Sequence, residues 1–150
     1  MTIYFATDHA GFEMKEALFS YVRDILGYEV CDLGAFELNP GDDYPVYMKK
    51  AGEAVSKNPL DAKAIIFGGS GQGEAIVANK FPYVRAIVYY GGNLDIVKLS
   101  REHNDANVLS LGARFLSVEE VQEVIALWLS TPFLHDERHV RRITQIDSLS

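Results

Sequence analysis

Five short apolar runs, at 3–7, 29–33, 64–67, 85–89 and 107–111, alternate with longer segments whose apolar residues recur at helical spacing. Strands that are apolar on both sides need cover on both faces. The alternation therefore predicts an α/β fold, a five-stranded parallel sheet sandwiched between helices and built from five βα units. The helical segments carry their own marks. Met14, Ala17, Leu18, Tyr21, Val22 and Ile25 form one apolar stripe that Gly27 is placed to end. Tyr44, Tyr47, Met48, Ala51 and Val55 form a second, opened by Asp43 as a cap and Pro45 in the first turn. A third begins at Ser117 with Glu120 completing a capping box, turns Val118, Val121, Val124, Ile125, Trp128 and Leu129 inward, and stops before Pro132. The polar loop 34–42, with Asn39-Pro40-Gly41, is either a functional or a merely connecting edge.

At 150 residues, 48% hydrophobic and 23% charged, the chain suits one compact domain over 1–150, with a charge-rich extension over 133–150 beyond the fifth unit. A net charge of −7 argues against nucleic-acid binding driven by phosphate neutralisation. No apolar run reaches the ~20 residues of a membrane helix, and the N-terminus enters the first strand without the basic region of a signal peptide. A cytoplasmic protein without membrane contact is expected. The single cysteine, Cys31, sits in an apolar run and reads as buried filler; alone it makes neither an internal disulfide nor a metal cluster.

In such folds ligands bind beyond the carboxyl ends of the strands, so the residues after each strand carry the chemistry. The third strand runs into Gly68-Gly69-Ser70-Gly71-Gln72-Gly73-Glu74. Glycines at 69, 71 and 73 let the backbone turn sharply and present bare N–H groups as a concave nest for negative charge. Glu74 then stands at the rim, in the first turn of a helix. A carbonyl compound lying there could lose a proton to Glu74 while the nest holds the enediolate oxygen, so proton-transfer isomerisation is the chemistry that fits. The turn is no P-loop, because no Lys-Ser/Thr pair follows and Lys80 lies too far along; its glycine spacing also departs from a dinucleotide fingerprint. The plainer alternative is a tight turn with a surface glutamate capping a helix. A helix N-terminus lowers the pKa of Glu74 and burial raises it, and a base for neutral pH needs burial to dominate.

Asp8 and His9 follow the first strand, and His103 with Asn104 stands near the fifth. These strand ends are expected to offer acid, base and donor groups to one crevice. In the tail, Arg138 and Arg142 share a helical face at i and i+4, where two guanidinium forks could clamp a phosphate; Arg114, just after the fifth strand, adds a third candidate. The alternative for the tail is a solvated charged segment.

Taken together and in order, Asp8-His9-Ala10-Gly11-Phe12-Glu13, Asp43-Tyr44-Pro45, Gly69-Ser70-Gly71-Gln72-Gly73, Ala78-Asn79-Lys80, Arg101-Glu102-His103-Asn104-Asp105-Ala106-Asn107 and Arg138-His139 with Arg142 resemble the ribose-5-phosphate isomerase B and galactose-6-phosphate isomerase subunits. The resemblance is nearly full length. It implies a Rossmann-like αβα sandwich, a homodimer with further pairing into a tetramer left open, and active sites at the interface. It also implies C-terminal arginines reaching the neighbour's substrate, and no metal or organic cofactor. Many members carry a cysteine base just before the glycine turn, where this chain has Gly68; the chain looks instead like the branch that uses a glutamate after the turn, Glu74.

Carried over, the resemblance gives His103 a part in opening the furanose ring with Asp8 nearby, and gives Glu74 the proton transfer between carbons two and one. Ser70, Gly71 and Gly73, in the turn that Gly69 opens, would bind enediolate oxygens. Asn104 and Tyr44 would line the sugar, and His9, Arg114, Arg138 and Arg142 would hold the phosphate. The implied reaction interconverts ribose 5-phosphate and ribulose 5-phosphate. A hexose or tetrose phosphate isomerase, or a sugar-phosphate-binding module without catalysis, stays open; retention of both Glu74 and His103 favours an enzyme.

Overall fold

In the computed structural model, which describes residues 1–149, the five apolar runs form one all-parallel sheet. The strands are β1 (Thr2–Thr7), β2 (Glu29–Asp32), β3 (Ala62–Gly68), β4 (Ala86–Tyr89) and β5 (Val108–Gly112), in the spatial order β2-β1-β3-β5-β4. Among the described residues six α-helices accompany them: α1 (Phe12–Ser20), α2 (Tyr44–Lys57), α3 (Gln72–Ala78), α4 (Asp95–Glu102), α5 (Val118–Ser130) and α6 (Glu137–Asp147). The expected α/β sandwich is therefore present, with five βα units in succession.

Alternation along the strands divides the core. Ile3 and Phe5, Ile65 and Phe67, and Leu109 and Leu111 face α1, α4 and α5, where Leu18, Val22, Val97, Ile125 and Trp128 complete one cluster. Ala6, Ala64, Ile66 and Val108 face the other way, against Met48, Ala51 and Val55 of α2 and Ala78 of α3. Small side chains on this second face let α2 and α3 lie close to the sheet, which matters because both helices reach the site at their N-terminal ends.

The capping box that opens α5 is formed on both sides: Ser117 Oγ accepts from the Glu120 N–H at 3.1 Å, and the Ser117 N–H donates to Glu120 Oε2 at 2.7 Å. Gly27 takes a φ of +76° and ends the first helical segment as expected. Other local expectations need correcting. Asp43 stands at the N-cap of α2, but its side chain makes no capping bond. In the first stripe Leu18 and Val22 are buried, whereas Ala17 and Ile25 are exposed. The wide π-helical turn Tyr21–Ile25 that continues α1 carries Ile25 off the stripe. Cys31 is half-buried, because β2 is an edge strand.

The registers β1 to β3, Thr2↔Ala62 through Thr7↔Phe67, bring the carboxyl ends of these two strands out side by side. The chain leaves β1 for β2 on one side and returns to β3 on the other. That reversal opens a crevice beyond β1 and β3, as the topology of open parallel sheets requires.

Candidate active site

The crevice is built from four segments. Where β1 ends, Asp8 Oδ1 accepts from the Ala10 N–H at 3.0 Å and fixes the tight turn that holds up His9. Loop 33–43 adds Asp42, and the start of α2 adds Tyr44. Beyond β3, Gly71 sits at φ +78°, a left-handed conformation that favours glycine, and Ser110 Oγ of β5 donates to its carbonyl at 2.7 Å. Ser70 is exposed, and its hydroxyl accepts from the Gln72 N–H at 3.3 Å. Beyond β5, the Arg114 N–H donates to the Gly69 carbonyl at 3.1 Å, and its guanidinium lies against Gly69. The Tyr44 phenol lies on Gly73 in the same close manner, so side chains from two other elements roof the bare glycine backbone.

Glu74 is 4% exposed. Its carboxyl group folds back over Gly68 and fills the space a β-carbon there would take. Burial holds this carboxyl above the usual carboxylate range. The N–H groups of Glu74 and Gly71 pull it back, while the charge of Asp8 pushes it further up. Burial thus outweighs the amides.

His9 Nδ1 lies 2.7 Å from Asp42 Oδ1 and 3.9 Å from Asp8 Oδ2. One atom from each of Asp8, His9 and Asp42 falls within 4.8 Å of the others, the spacing of a cation site. The His9–Asp42 bond uses the ring nitrogen that such a cation would take.

The remaining candidates lie elsewhere. His103 and Asn104 come between α4 and β5, so they stand at the amino edge of the sheet, where Ala64 near the start of β3 bonds Asn107. The expectation that they share the crevice within one chain fails for a simple reason. A helix that leaves the carboxyl edge of a parallel sheet runs back to the amino edge before the next strand. At ~3.3 Å per residue, the seven residues of β3 put roughly 20 Å between the two edges.

Helix α6 also packs at the amino edge. His139 stacks on His103 with ring centroids 4.3 Å apart, the Leu134 N–H donates to the Glu102 carbonyl at 3.2 Å, and Arg85 pairs with Asp147 at 3.2 Å. His139 is buried, and burial first, then the neighbouring His103 and Arg138, hold its imidazole below the usual range. Arg138 and Arg142 are exposed on α6, far from Arg114, so the three-arginine pocket does not form within one chain. Asp8, His9, Tyr44, Gly69, Ser70, Gly71, Gly73, Glu74 and Arg114 thus gather at one edge, and His103, Asn104, Arg138 and Arg142 at the other.

A family described as Ribose/Galactose Isomerase matches residues 3–146. The chain belongs to the ribose/galactose isomerase family. Among its relatives, ribose-5-phosphate isomerase B of Mycolicibacterium paratuberculosis is 36% identical over 143 residues, covering 95% of this chain and 87% of that one. The Escherichia coli protein of the same name is 33% identical over 147 residues, covering 98% and 95%. Among solved structures, ribose-5-phosphate isomerase B from Mycoplasma genitalium with bound ribulose-5-phosphate superposes with a TM-score of 0.93 at 30% identity, covering 99% of this chain and 95% of that one. The Clostridium thermocellum enzyme gives 0.90 at 36% identity, covering 99% and 97%. The family match spans both residue clusters and nearly all of α6.

Two members of these clusters escaped the sequence reading of this isomerase-family chain. Asp42 pairs with His9 across 33 positions and has the same side chain as its neighbour Asp43, so nothing local marks it. His139 lies in the quoted Arg138-His139 run, but its stacking on His103 joins two segments that no periodicity connects.

Proposed function

We infer that this protein interconverts ribose 5-phosphate and ribulose 5-phosphate, with Glu74 as the base. The observation that carries the reading is the Glu74 carboxyl, shut in over Gly68 beside the backbone of the glycine turn and Asp8. A carboxylate raised by burial is a stronger base than a free one, and it takes a proton from a carbon acid only if the oxyanion formed nearby is stabilised. Glu74 removes the proton from carbon two and returns it at carbon one, while the hydroxyl proton passes from oxygen two to oxygen one. N–H groups of the 69–73 turn and the Ser70 hydroxyl hold the enediolate between these steps. Tyr44 borders the sugar, and His9 and Arg114 take the phosphate.

We further propose that the functional unit is a homodimer. One chain places His103, Asn104, Arg138 and Arg142 out of reach of its own crevice, and a two-fold partner would deliver them. Exposed apolar side chains support such a surface: Ile76, Tyr90, Ile96 and Phe115 lie on segments at the carboxyl edge, and Leu134 and Val140 on those at the amino edge. The partner's His103 then opens the sugar ring with Asp8, and the partner's Arg138 and Arg142 close on the phosphate. Among the described residues no helix is long and apolar enough to cross a membrane. A cytoplasmic setting suits a charged sugar phosphate that a bilayer excludes.

The test is exchange at carbon two when the protein meets ribose 5-phosphate in heavy water. Exchange with ketose formation is expected, and in Glu74→Gln both fall about 10²–10⁴-fold while substrate binding persists. Turnover by Glu74→Gln close to wild type contradicts the assignment. A panel of tetrose and hexose phosphates ranks the alternative substrates.

A further inference from the structure

We propose that Ser110 is a positioning residue for the proton transfer, its buried hydroxyl holding the glycine turn in the one orientation that aims its amides at the enediolate and at Glu74. This inference rests on the sugar-phosphate isomerase reading above and adds a residue of the sheet to it.

Ser110 is fully buried in the middle of β5, between Ile66 of β3 and Val88 of β4. Val108 faces α2 and α3, so alternation along β5 turns Ser110 to the same face, under the glycine turn. A hydroxyl in such a place costs desolvation unless it is bonded. Ala6 and Ala64 fill this face with small apolar side chains, so packing alone does not call for a serine.

The hydroxyl is spent on the turn. Ser110 Oγ donates to the Gly71 carbonyl at 2.7 Å, although the Ala75 N–H already donates to that oxygen at 3.2 Å. The second bond is not needed to satisfy the carbonyl, and what it adds is direction. Gly71, at φ +78°, lies so close to β5 that a β-carbon would meet the Leu111 and Gly112 backbone at 3.1 and 3.2 Å. Glycine is therefore required, and glycine leaves the following peptide free to swing. In a trans peptide the carbonyl and the next N–H point opposite ways. With the Gly71 carbonyl drawn onto Ser110, the Gln72 N–H turns outward, where Ser70 Oγ accepts from it at 3.3 Å. The Gly71 N–H draws on the Glu74 carboxyl. One hydroxyl thus fixes the residue whose two flanking amides serve the base and the oxyanion. Released from Ser110, the 71–72 peptide can rotate and offer a carbonyl where negative charge develops.

The effect is selective. Ser110 touches nothing that holds the phosphate or the sugar hydroxyls, so its loss weakens the enediolate and spares the substrate.

The experiment compares wild type with Ser110→Ala by steady-state kinetics on ribose 5-phosphate and by calorimetry with two ligands. The hydroxamate of 4-phosphoerythronic acid carries two oxygens in one plane, as the enediolate does, whereas ribitol 5-phosphate is tetrahedral at both carbons. In Ser110→Ala, kcat and the hydroxamate affinity should each fall about ten- to a hundredfold, while KM and the ribitol 5-phosphate affinity hold. A merely structural serine would lose both ligands together or neither. Wild-type kcat in Ser110→Ala, or an equal loss of the two ligands, overturns the proposal and leaves the isomerase reading standing. A wild type that does not isomerise ribose 5-phosphate rejects that reading, and the role of Ser110 falls with it. If Ser110→Ala does not fold, Ser110→Cys, which keeps the volume and weakens the donor, decides by the same comparison.

Discussion

As the proposed base, Glu74 would work while shut away from water, and its surroundings set the terms. Its folded pKa lies above the ordinary glutamate range, so kcat/KM should fall as pH drops through that raised value, placing the acid limb higher than a free carboxylate would. The same shift is a stability statement. An acid whose folded pKa is raised contributes stability below its unfolded pKa and loses that contribution as pH rises through the folded one. Glu74→Gln, which mimics the protonated form, should therefore raise the melting temperature at neutral pH and change it little near the unfolded glutamate pKa of about 4.3. An equal shift at both pH values would contradict the burial argument. Gly68 tests the position itself. In Gly68→Ala the new methyl group occupies the place of the Glu74 carboxyl, a flexible end that can swing away. Turnover should fall by about 10² or more with little loss of stability, read by steady-state rate and thermal melt on the same sample. Glu74 was legible in sequence because the strand, the glycines and the first helical turn are contiguous. Asp42 was not, because its bond to His9 is a tertiary event between two loops.

At the scale of elements, periodicity told most of the truth. The strands fell within one or two residues of the expected runs, and the α5 stripe buries Val121, Val124, Ile125 and Trp128 as its spacing requires. Trp128→Ala should cost about 3–5 kcal/mol in urea unfolding, since it empties the middle of the larger core cluster. What periodicity missed is polar and long-range. Lys15 sits in an apolar-looking helix with no exposure, yet its Nζ donates to Asp32 Oδ2 at 2.6 Å and to the Ala35 carbonyl at 2.8 Å. It ties α1 to the loop that carries Asp42. Lys15→Met breaks this pair and should destabilise the fold by about 3–5 kcal/mol, with KM rising because loop 33–43 loses its anchor. Unchanged unfolding and KM would show that the tie carries no weight. The placement of His103 was also within reach of the sequence, since a residue before a strand belongs to the amino edge and only a residue after it belongs to the crevice.

The whole molecule presents a divided site. The buried Glu74 carboxyl, the 69–73 glycine turn, His9 and Arg114 lie at the carboxyl edge, while a stacked histidine pair and two exposed arginines lie a strand's length away. No motion internal to the sheet joins them, because the strands between are the most buried part of the chain. The proposed two-fold pair would join them twice. Co-expression of Glu74→Gln with His103→Asn, each inactive alone, measures this directly. In a mixed dimer one site carries both changes and the other carries neither, so random pairing at equal amounts should restore activity to about a quarter of wild type per site. Activity no greater than that of either variant alone would contradict the shared site and, with it, the account of how this chain works.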